Sequence, residues 1–122
     1  MQSTHQKGRS GEDQAIRFLQ KKGYQLLDRN FRSRTGEVDI VCEADELILF
    51  IEVKSWRSLP DEALEVSIGV TKQQRIVRTA RYYLLQNPHL QERGIRFDVV
   101  LVNPSTGTVR HIEGAFEASC PE

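Results

Sequence analysis

The chain has 122 residues, of which 39% are hydrophobic, and its 17 Lys and Arg residues balance its 17 Asp and Glu residues. These totals favour one soluble globular domain, and the zero net charge argues against a strongly basic nucleic-acid binder. The longest apolar run, residues 47–51, is too short to cross a bilayer, and the N-terminus lacks a secretory signal, so we expect a cytoplasmic protein without membrane contact.

Hydrophobic periodicity predicts two helices and five strands. In chain order they are a helix over 10–22, strands over 24–31, 37–43 and 47–55, a helix over 71–86, and strands over 95–103 and 108–113. Ser10 is the predicted cap of the first helix and Gly23 its stop signal, while residues 57–70 form a loop with a short helix. The order predicts an α/β fold with a central mixed sheet flanked by helices. We expect one domain over 8–113, with loosely ordered termini at 1–7 and 114–122.

Charged residues alternate with apolar ones on two consecutive strands. Glu37 and Asp39 share one face of the second strand, and Glu52 and Lys54 share one face of the third. A tight turn at 44–46 joins these strands into an antiparallel hairpin. If the register aligns the two faces, the four charges meet at the hairpin end opposite the turn. Buried charges are costly unless they are paired or bind an ion.

A fifth charged residue, Glu12, lies on the apolar stripe of the first helix with Ala15, Ile16 and Leu19. Carboxylates that converge repel each other, and a hard divalent cation such as Mg²⁺ or Mn²⁺ relieves that repulsion. A bound cation activates water and stabilises charge on a phosphate, and a neighbouring lysine assists. The pattern therefore fits metal-dependent phosphodiester hydrolysis.

The two strand motifs resemble those of a known superfamily. GEVDIV, followed after a turn by FIEVKS, resembles the D…(D/E)xK pattern of restriction-endonuclease-like proteins. Over roughly residues 8–113 the chain more closely resembles the YraN-like family of small bacterial predicted endonucleases, related to archaeal Holliday-junction resolvases. The stretches that carry this resemblance are GEDQAIRFLQKKGYQLLDRNFRSRTGEVDIV, LFIEVKSWRS, TKQQRI, YYL and RFDVV.

The resemblance implies an αβββαβ core and a nuclease acting on structured or branched DNA. It implies that Asp39 and Glu52 bind the metal with help from the Val53 carbonyl, that Lys54 is catalytic, and that Glu12 lies near the metal. Junction resolvases are generally dimers, which suggests a homodimer here. The loop at 57–70 departs from the family pattern because it lacks a Phe-Gly pair and a second proline.

Basic residues cluster on either side of the hairpin and are expected to contact nucleic-acid phosphates. They are Arg32, Arg34, Arg57, Lys72, Arg75 and Arg78. The alternative for the second helix is a solvated charged face. Trp56 is interpreted either as a stacking platform for a base or as a core residue at a strand end.

Each acidic residue also has a structural interpretation. Asp39, Glu52 and Lys54 fit a buried salt-bridge cluster equally well. Glu12 fits an acidic residue in the first turn that complements the helix dipole. Glu37 is expected either to bind metal or to pair with an arginine of the preceding strand. Asp98, which interrupts an apolar run, is interpreted as a structural partner for a helix or loop amide. The rival functions are an inactive nucleic-acid-binding module and a purely structural fold.

Overall fold

Five strands form one mixed sheet, in the order in which they occur along the chain. The computed structural model describes residues 4–56 and 68–118, without the side chains of 4–10. The elements are α1 (Thr4–Lys21), β1 (Gln25–Ser33), β2 (Gly36–Ala44), β3 (Leu47–Ser55), α2 (Val70–Gln86), β4 (Gly94–Val102) and β5 (Val109–Phe116), with a 3-10 turn at Pro88–Leu90. Strands β3 and β4 are parallel and the other neighbours antiparallel. This confirms the predicted α/β fold, with the αβββαβ order of a restriction-endonuclease-like core.

The two helices cover opposite faces of the sheet. On one face, Phe50 of β3 packs in a buried cluster with Ile76 and Tyr83 of α2. On the other face, Ile51 packs in a cluster with Leu19 of α1. Successive residues of β3 therefore enter different cores, which explains why the strand is apolar almost without interruption.

The predicted element order is correct, and most boundaries differ by one to three residues. The predicted cap at Ser10 is wrong, because α1 already begins at Thr4 and Ser10 lies within it. Gly23 does end the helix, with a positive φ of 95° that glycine adopts without strain. Residues 57–67 lie outside the described residues, as does the predicted role of Arg57. The division into one domain with two terminal segments stays a prediction.

None of the helices in the described ranges is long and apolar enough to span a bilayer.

The two central antiparallel strands separate part of the way along their length. Among the described residues, β2–β3 pairs run only from Ala44 with Leu47 to Ile40 with Ile51. Beyond that point β2 continues to pair with β1, while β3 continues to pair with β4 up to Ser55. A gap therefore opens within the sheet, and Asp39 and Glu52 are the first residues on its two sides.

Strict alternation does not hold on β2 at this gap. Val38 and Val41 both pack in the cluster beneath α2, although a spacing of three would place them on opposite faces of a regular strand. The intervening Ile40 packs in the cluster beneath α1. Alternation on β2 is therefore interrupted between Val38 and Val41, the stretch that contains Asp39. That Glu37 and Asp39 share one face stays a prediction.

Asp98 is a fully buried carboxylate in a hydrogen-bonded network between β4 and β5. Arg96 donates two hydrogen bonds to it, at 2.8 and 2.9 Å, and His111 Nε2 donates a third at 2.8 Å. The Gly114 amide donates the fourth at 2.9 Å, near a register shift between the two strands. Asp98 is thus a structural partner, but its partners lie on strands rather than on a helix or loop.

These hydrogen bonds determine the charge state of Asp98. Burial by itself raises the pKa of its carboxyl, but the bonds from His111, Arg96 and the Gly114 amide outweigh burial and lower the pKa to about 2. A carboxyl with a lowered folded-state pKa contributes stability above its unfolded value near pH 4, and that contribution is lost as the pH falls towards 2.

We predict that Asp98→Asn lowers the free energy of unfolding by about 3 kcal/mol, because it removes the charged acceptor at a fully buried position that Arg96, His111 and the Gly114 amide surround. Between pH 4 and pH 2, the free energy of unfolding of the variant should also decrease less than that of the wild type. Urea titrations across this range measure both effects. The matched control is Asp45→Asn, at an exposed turn with a φ of 55° that asparagine tolerates. Equal stability of Asp98→Asn and the control would contradict the prediction.

Candidate functional site

The gap between β2 and β3 brings two carboxyl groups together. Asp39 Oδ2 accepts a hydrogen bond from the Val53 amide at 2.8 Å, which replaces a missing ladder bond across the gap. The same side chain is within hydrogen-bonding reach of the Glu52 carboxyl. Asp39 is half-buried and Glu52 is buried. The two predicted metal ligands are therefore neighbours at one point of the sheet.

Burial and the charge of Glu52 outweigh the hydrogen bond that Asp39 accepts. Burial raises the pKa of Asp39, and the negative charge of Glu52 raises it further; the Val53 amide only partly offsets these effects, and the pKa is about 8. The carboxyl of Asp39 is therefore harder to ionise than that of an exposed aspartate. Asp98 shows the opposite shift in the same sheet, because four donors surround it. A strongly shifted carboxyl pair is more common at functional sites, although structural ion-pair networks also shift pKa values.

Lys72 reaches this pair from the first turn of α2. Its Nζ lies 2.6 Å from Glu52 Oε1. The hydrogen bond to Glu52 raises the pKa of Lys72, and the charges of Glu52, Asp39 and Glu37 raise it further. The sequence predicted Lys72 as a phosphate contact, whereas the structure places its ammonium on a carboxylate.

Glu12 approaches from the opposite side of the sheet. Its charge contributes to the raised pKa of Asp39, so the predicted helix acid does lie near the pair. It is also tied to Arg29 of β1, whose Nη2 lies 3.4 Å from Glu12 Oε1 and whose Nη1 donates to Asp13 at 2.8 Å. Sequence analysis missed Arg29 and Asp13. The position of Arg29 near the site follows only from the β1–β2 register, which pairs it with Ile40, the neighbour of Asp39 in the chain.

Lys54 follows Glu52 by two residues on β3 and is half-buried. The strand is regular here, pairing residue by residue with β4, so Lys54 projects to the same face as Glu52. Val53 lies between them with its amide bonded to Asp39. The predicted roles of Lys54 and of the Val53 carbonyl stay predictions.

A basic cleft opens beside the acidic pair. It has a volume of about 660 Å³ and is lined by Arg32, Ser33, Arg34, Thr35, Gly36, Glu37 and Arg75. Arg32, Arg34 and Arg75 are exposed, as is Arg78 one turn further along α2. The cleft therefore brings together the two basic groups that are separate in the sequence.

The turn between β1 and β2 is attached to α2 by hydroxyl groups. Thr79 Oγ1 lies 2.8 Å from Thr35 Oγ1, which lies 2.8 Å from Ser33 Oγ. Gly36 has a φ of 150°, and a Cβ there would lie 3.4 Å from Arg75 Cβ. This close approach holds the arginines of the turn beside Arg75.

Two alternatives from the sequence are resolved by this geometry. Glu37 pairs with Arg32 at 3.4 Å, as one of its two interpretations predicted. Trp56 is buried against Ile68 and Val99, so it is a core residue and not an exposed stacking platform.

The chemistry of the site fits a metal that needs few protein ligands. Within residues 4–56 and 68–118, no group of three or more His, Cys, Asp and Glu side chains is arranged to hold an ion. Asp39 and Glu52 are the two carboxyl groups that the structure brings together, and an ion bound to them would need a backbone carbonyl and water as further ligands. Mg²⁺ accepts such a set, since it prefers oxygen ligands and retains several waters.

Comparison with known proteins identifies the family. The model of the family described as "Uncharacterised protein family UPF0102" matches residues 11–102, a range that contains Glu12, Asp39, Glu52 and Lys54. A UPF0102 protein of Persephonella marina is 40% identical over 112 residues, which cover 91% of this chain and 93% of the relative. A UPF0102 protein of Nitrobacter winogradskyi is 42% identical over 112 residues, with 92% of each chain covered. The chain therefore belongs to the UPF0102 family, which confirms the YraN-like resemblance of its motifs.

Proposed function

We propose that this protein is a metal-dependent nuclease that hydrolyses phosphodiester bonds in structured or branched DNA. One observation carries the proposal: Asp39 and Glu52 meet where β2 and β3 separate, and Lys54 follows on the same strand. The arginine-lined cleft beside this point supports a polyanionic substrate. The raised pKa of Asp39, caused by burial and by the charge of Glu52, also supports a site of this kind.

The donor set supports Mg²⁺ or Mn²⁺ as the cofactor. Asp39 and Glu52 would hold the ion, with the Val53 carbonyl as a further oxygen and Glu12 on the side of α1. When bound, such an ion supplies a more acidic, oriented water and stabilises charge that develops on the phosphate. Ionisation of Asp39 is favoured once a cation lies beside it, because the repulsion from Glu52 is then offset.

The remaining residues bind and orient the substrate. Lys54 lies on the Glu52 face of β3, where its ammonium stabilises negative charge on the phosphate or positions water. Arg32, Arg34, Arg75 and Arg78 contact backbone phosphates, which contributes affinity without sequence preference. Because the turn of β1–β2 is attached to α2, these contacts are held at a defined distance from Asp39 and Glu52.

We expect Asp39→Asn, Glu52→Gln and Lys54→Ala each to lower the rate of DNA cleavage in Mn²⁺ by about 100-fold or more, as loss of a group that stabilises the transition state does. The substrates are four-way, flapped and linear DNA, with RNA for comparison. The matched control is Glu46→Gln, an exposed acid at the other end of the same hairpin, which should cut like wild type.

The outcomes separate the rival functions. Binding of branched DNA without cleavage in either metal would support the inactive nucleic-acid-binding module. If the protein neither binds nor cuts DNA, the purely structural fold is the function that remains. Cleavage that is equal in wild type and all three site variants would point to a contaminating nuclease and contradict the proposal.

We predict that Arg32→Ala, Arg34→Ala and Arg75→Ala each weaken DNA binding and reduce the slope of log affinity against log salt by about 0.9, the value for one lost phosphate contact. Binding is measured by fluorescence anisotropy in EDTA, so that no DNA is cut. The control is Arg17→Ala, an exposed arginine on α1, which covers the opposite face of the sheet. An unchanged slope in all three variants would show that the cleft does not contact DNA phosphates.

A two-fold symmetric homodimer is part of the proposal, by analogy with resolvases that cut two symmetric strands of a junction. Sedimentation equilibrium of the purified protein should give twice the chain mass, and the mass should persist on dilution to the concentration used for cleavage. A monomer mass under those conditions would restrict the proposal to substrates with a single cut.

A further inference from the structure

The contact between Lys72 and Glu52 joins a basic residue of α2 to the proposed metal site. Lys72 Nζ lies 2.6 Å from Glu52 Oε1, so the ammonium occupies one side of a carboxylate that the proposed function assigns to the metal. The Glu52 side chain is only 10% exposed, whereas that of Lys72 is 53% exposed. Glu52 is therefore the buried partner of this ion pair and Lys72 the exposed one.

The position of Lys72 on its helix shows that the carboxylate holds it there. Lys72 lies in the first turn of α2, where the helix dipole disfavours positive charge, and that turn contains no acidic residue. Its favourable interactions come instead from Glu52, Asp39 and Glu37 on the sheet. A buried carboxylate without a counter-ion is destabilising, which gives the ammonium a clear role in the metal-free protein.

We propose that Lys72 is an internal competitor of the divalent ion: its ammonium neutralises Glu52 in the metal-free protein and leaves Glu52 when the site is loaded. The inference rests on the metal site of the proposed function and adds a residue that opposes loading. Two cations cannot share the same side of one carboxylate without strong repulsion. The long, exposed stem of Lys72 allows the ammonium to move while the helix stays packed.

The released ammonium has an anionic partner available. Arg75 follows Lys72 on α2 and lines the basic cleft, so a displaced Lys72 lies beside the expected path of the phosphate backbone. The Lys72 ammonium thus leaves the Glu52 carboxylate and contacts a backbone phosphate of the nucleic acid. Metal loading and nucleic-acid binding should therefore favour each other through this side chain, because coupling between two ligands is reciprocal.

Calorimetric titration of the full chain with Mn²⁺ tests the competition. Lys72→Ala and Lys72→Gln should bind Mn²⁺ about tenfold more tightly than wild type, a coupling of ordinary size. Lys72→Arg keeps the charge and should bind within about twofold of wild type, on the same scale. Arg81→Ala removes one positive charge from an exposed position further along the same helix and should match wild type. Circular dichroism confirms that each variant is folded.

The titrations distinguish failure of this inference from failure of the proposed function. Wild-type binding that Glu52→Gln abolishes supports the metal site, whatever Lys72 does. If the site binds Mn²⁺ but both neutral variants bind equally or more weakly, the competition is overturned and the metal site stands. If wild type and all variants fail to bind Mn²⁺ or Mg²⁺, both proposals are overturned.

DNA binding tests the exchange in the second direction. For each protein, the slope of log affinity against log salt is measured in Ca²⁺, a divalent probe used to avoid cleavage, and again in EDTA. The increase in slope from EDTA to Ca²⁺ should be larger in wild type than in Lys72→Ala by about 0.9, the value for one phosphate contact. The subtraction removes any phosphate contact made by the ion itself. Equal differences in the two proteins would show that Lys72 does not reach the phosphate backbone.

Discussion

The separation of β2 from β3 is the constraint on which the site depends. The two strands pair as far as Ile40 and Ile51 and then diverge, because β2 stays with β1 while β3 stays with β4. A buried amide on an unpaired stretch must find another acceptor. Asp39 supplies it by accepting from Val53, and the same bond holds its carboxyl beside Glu52. The sheet defect thus provides both the space and the alignment of the acidic pair.

Two aspartates on interior strands show how environment shifts the pKa of a carboxyl group in opposite directions. Asp98 receives bonds from Arg96, His111 and an amide, and its pKa is lowered to about 2. Asp39 receives one amide and faces Glu52, and its pKa is raised to about 8. Asp98 is the more deeply buried of the two and yet the more acidic, so burial alone does not explain the difference. Complete hydrogen bonding keeps Asp98 charged as part of the fold, whereas the hydrogen bond to Asp39 only partly offsets burial and the charge of Glu52.

Helix α2 links the acidic pair to the basic cleft. Its Tyr83 and Ile76 pack on the sheet, its Thr79 holds the β1–β2 turn, and its Lys72 reaches Glu52. The helix therefore fixes the arginine side chains and the carboxylates relative to one another through packing on a rigid sheet. A substrate backbone held in the cleft would be positioned against the carboxylates by the same contacts, which is how a scaffold reduces the entropy cost of orienting reactants.

Local patterns predict the order of the elements, the hairpin and the strands that carry the acidic residues, because periodicity and turn residues are local properties. The family is recognisable from the longer stretches that contain GEVDIV and FIEVKS. The folded structure was needed to show that α1 begins before Ser10, that alternation on β2 is interrupted between Val38 and Val41, that Trp56 is buried and that Lys72 pairs with Glu52. These depend on strand register and on long side chains that meet partners far away in the chain. The spacing of residues along one strand carries no information about such contacts. They depend on which oppositely charged side chain the fold brings within reach.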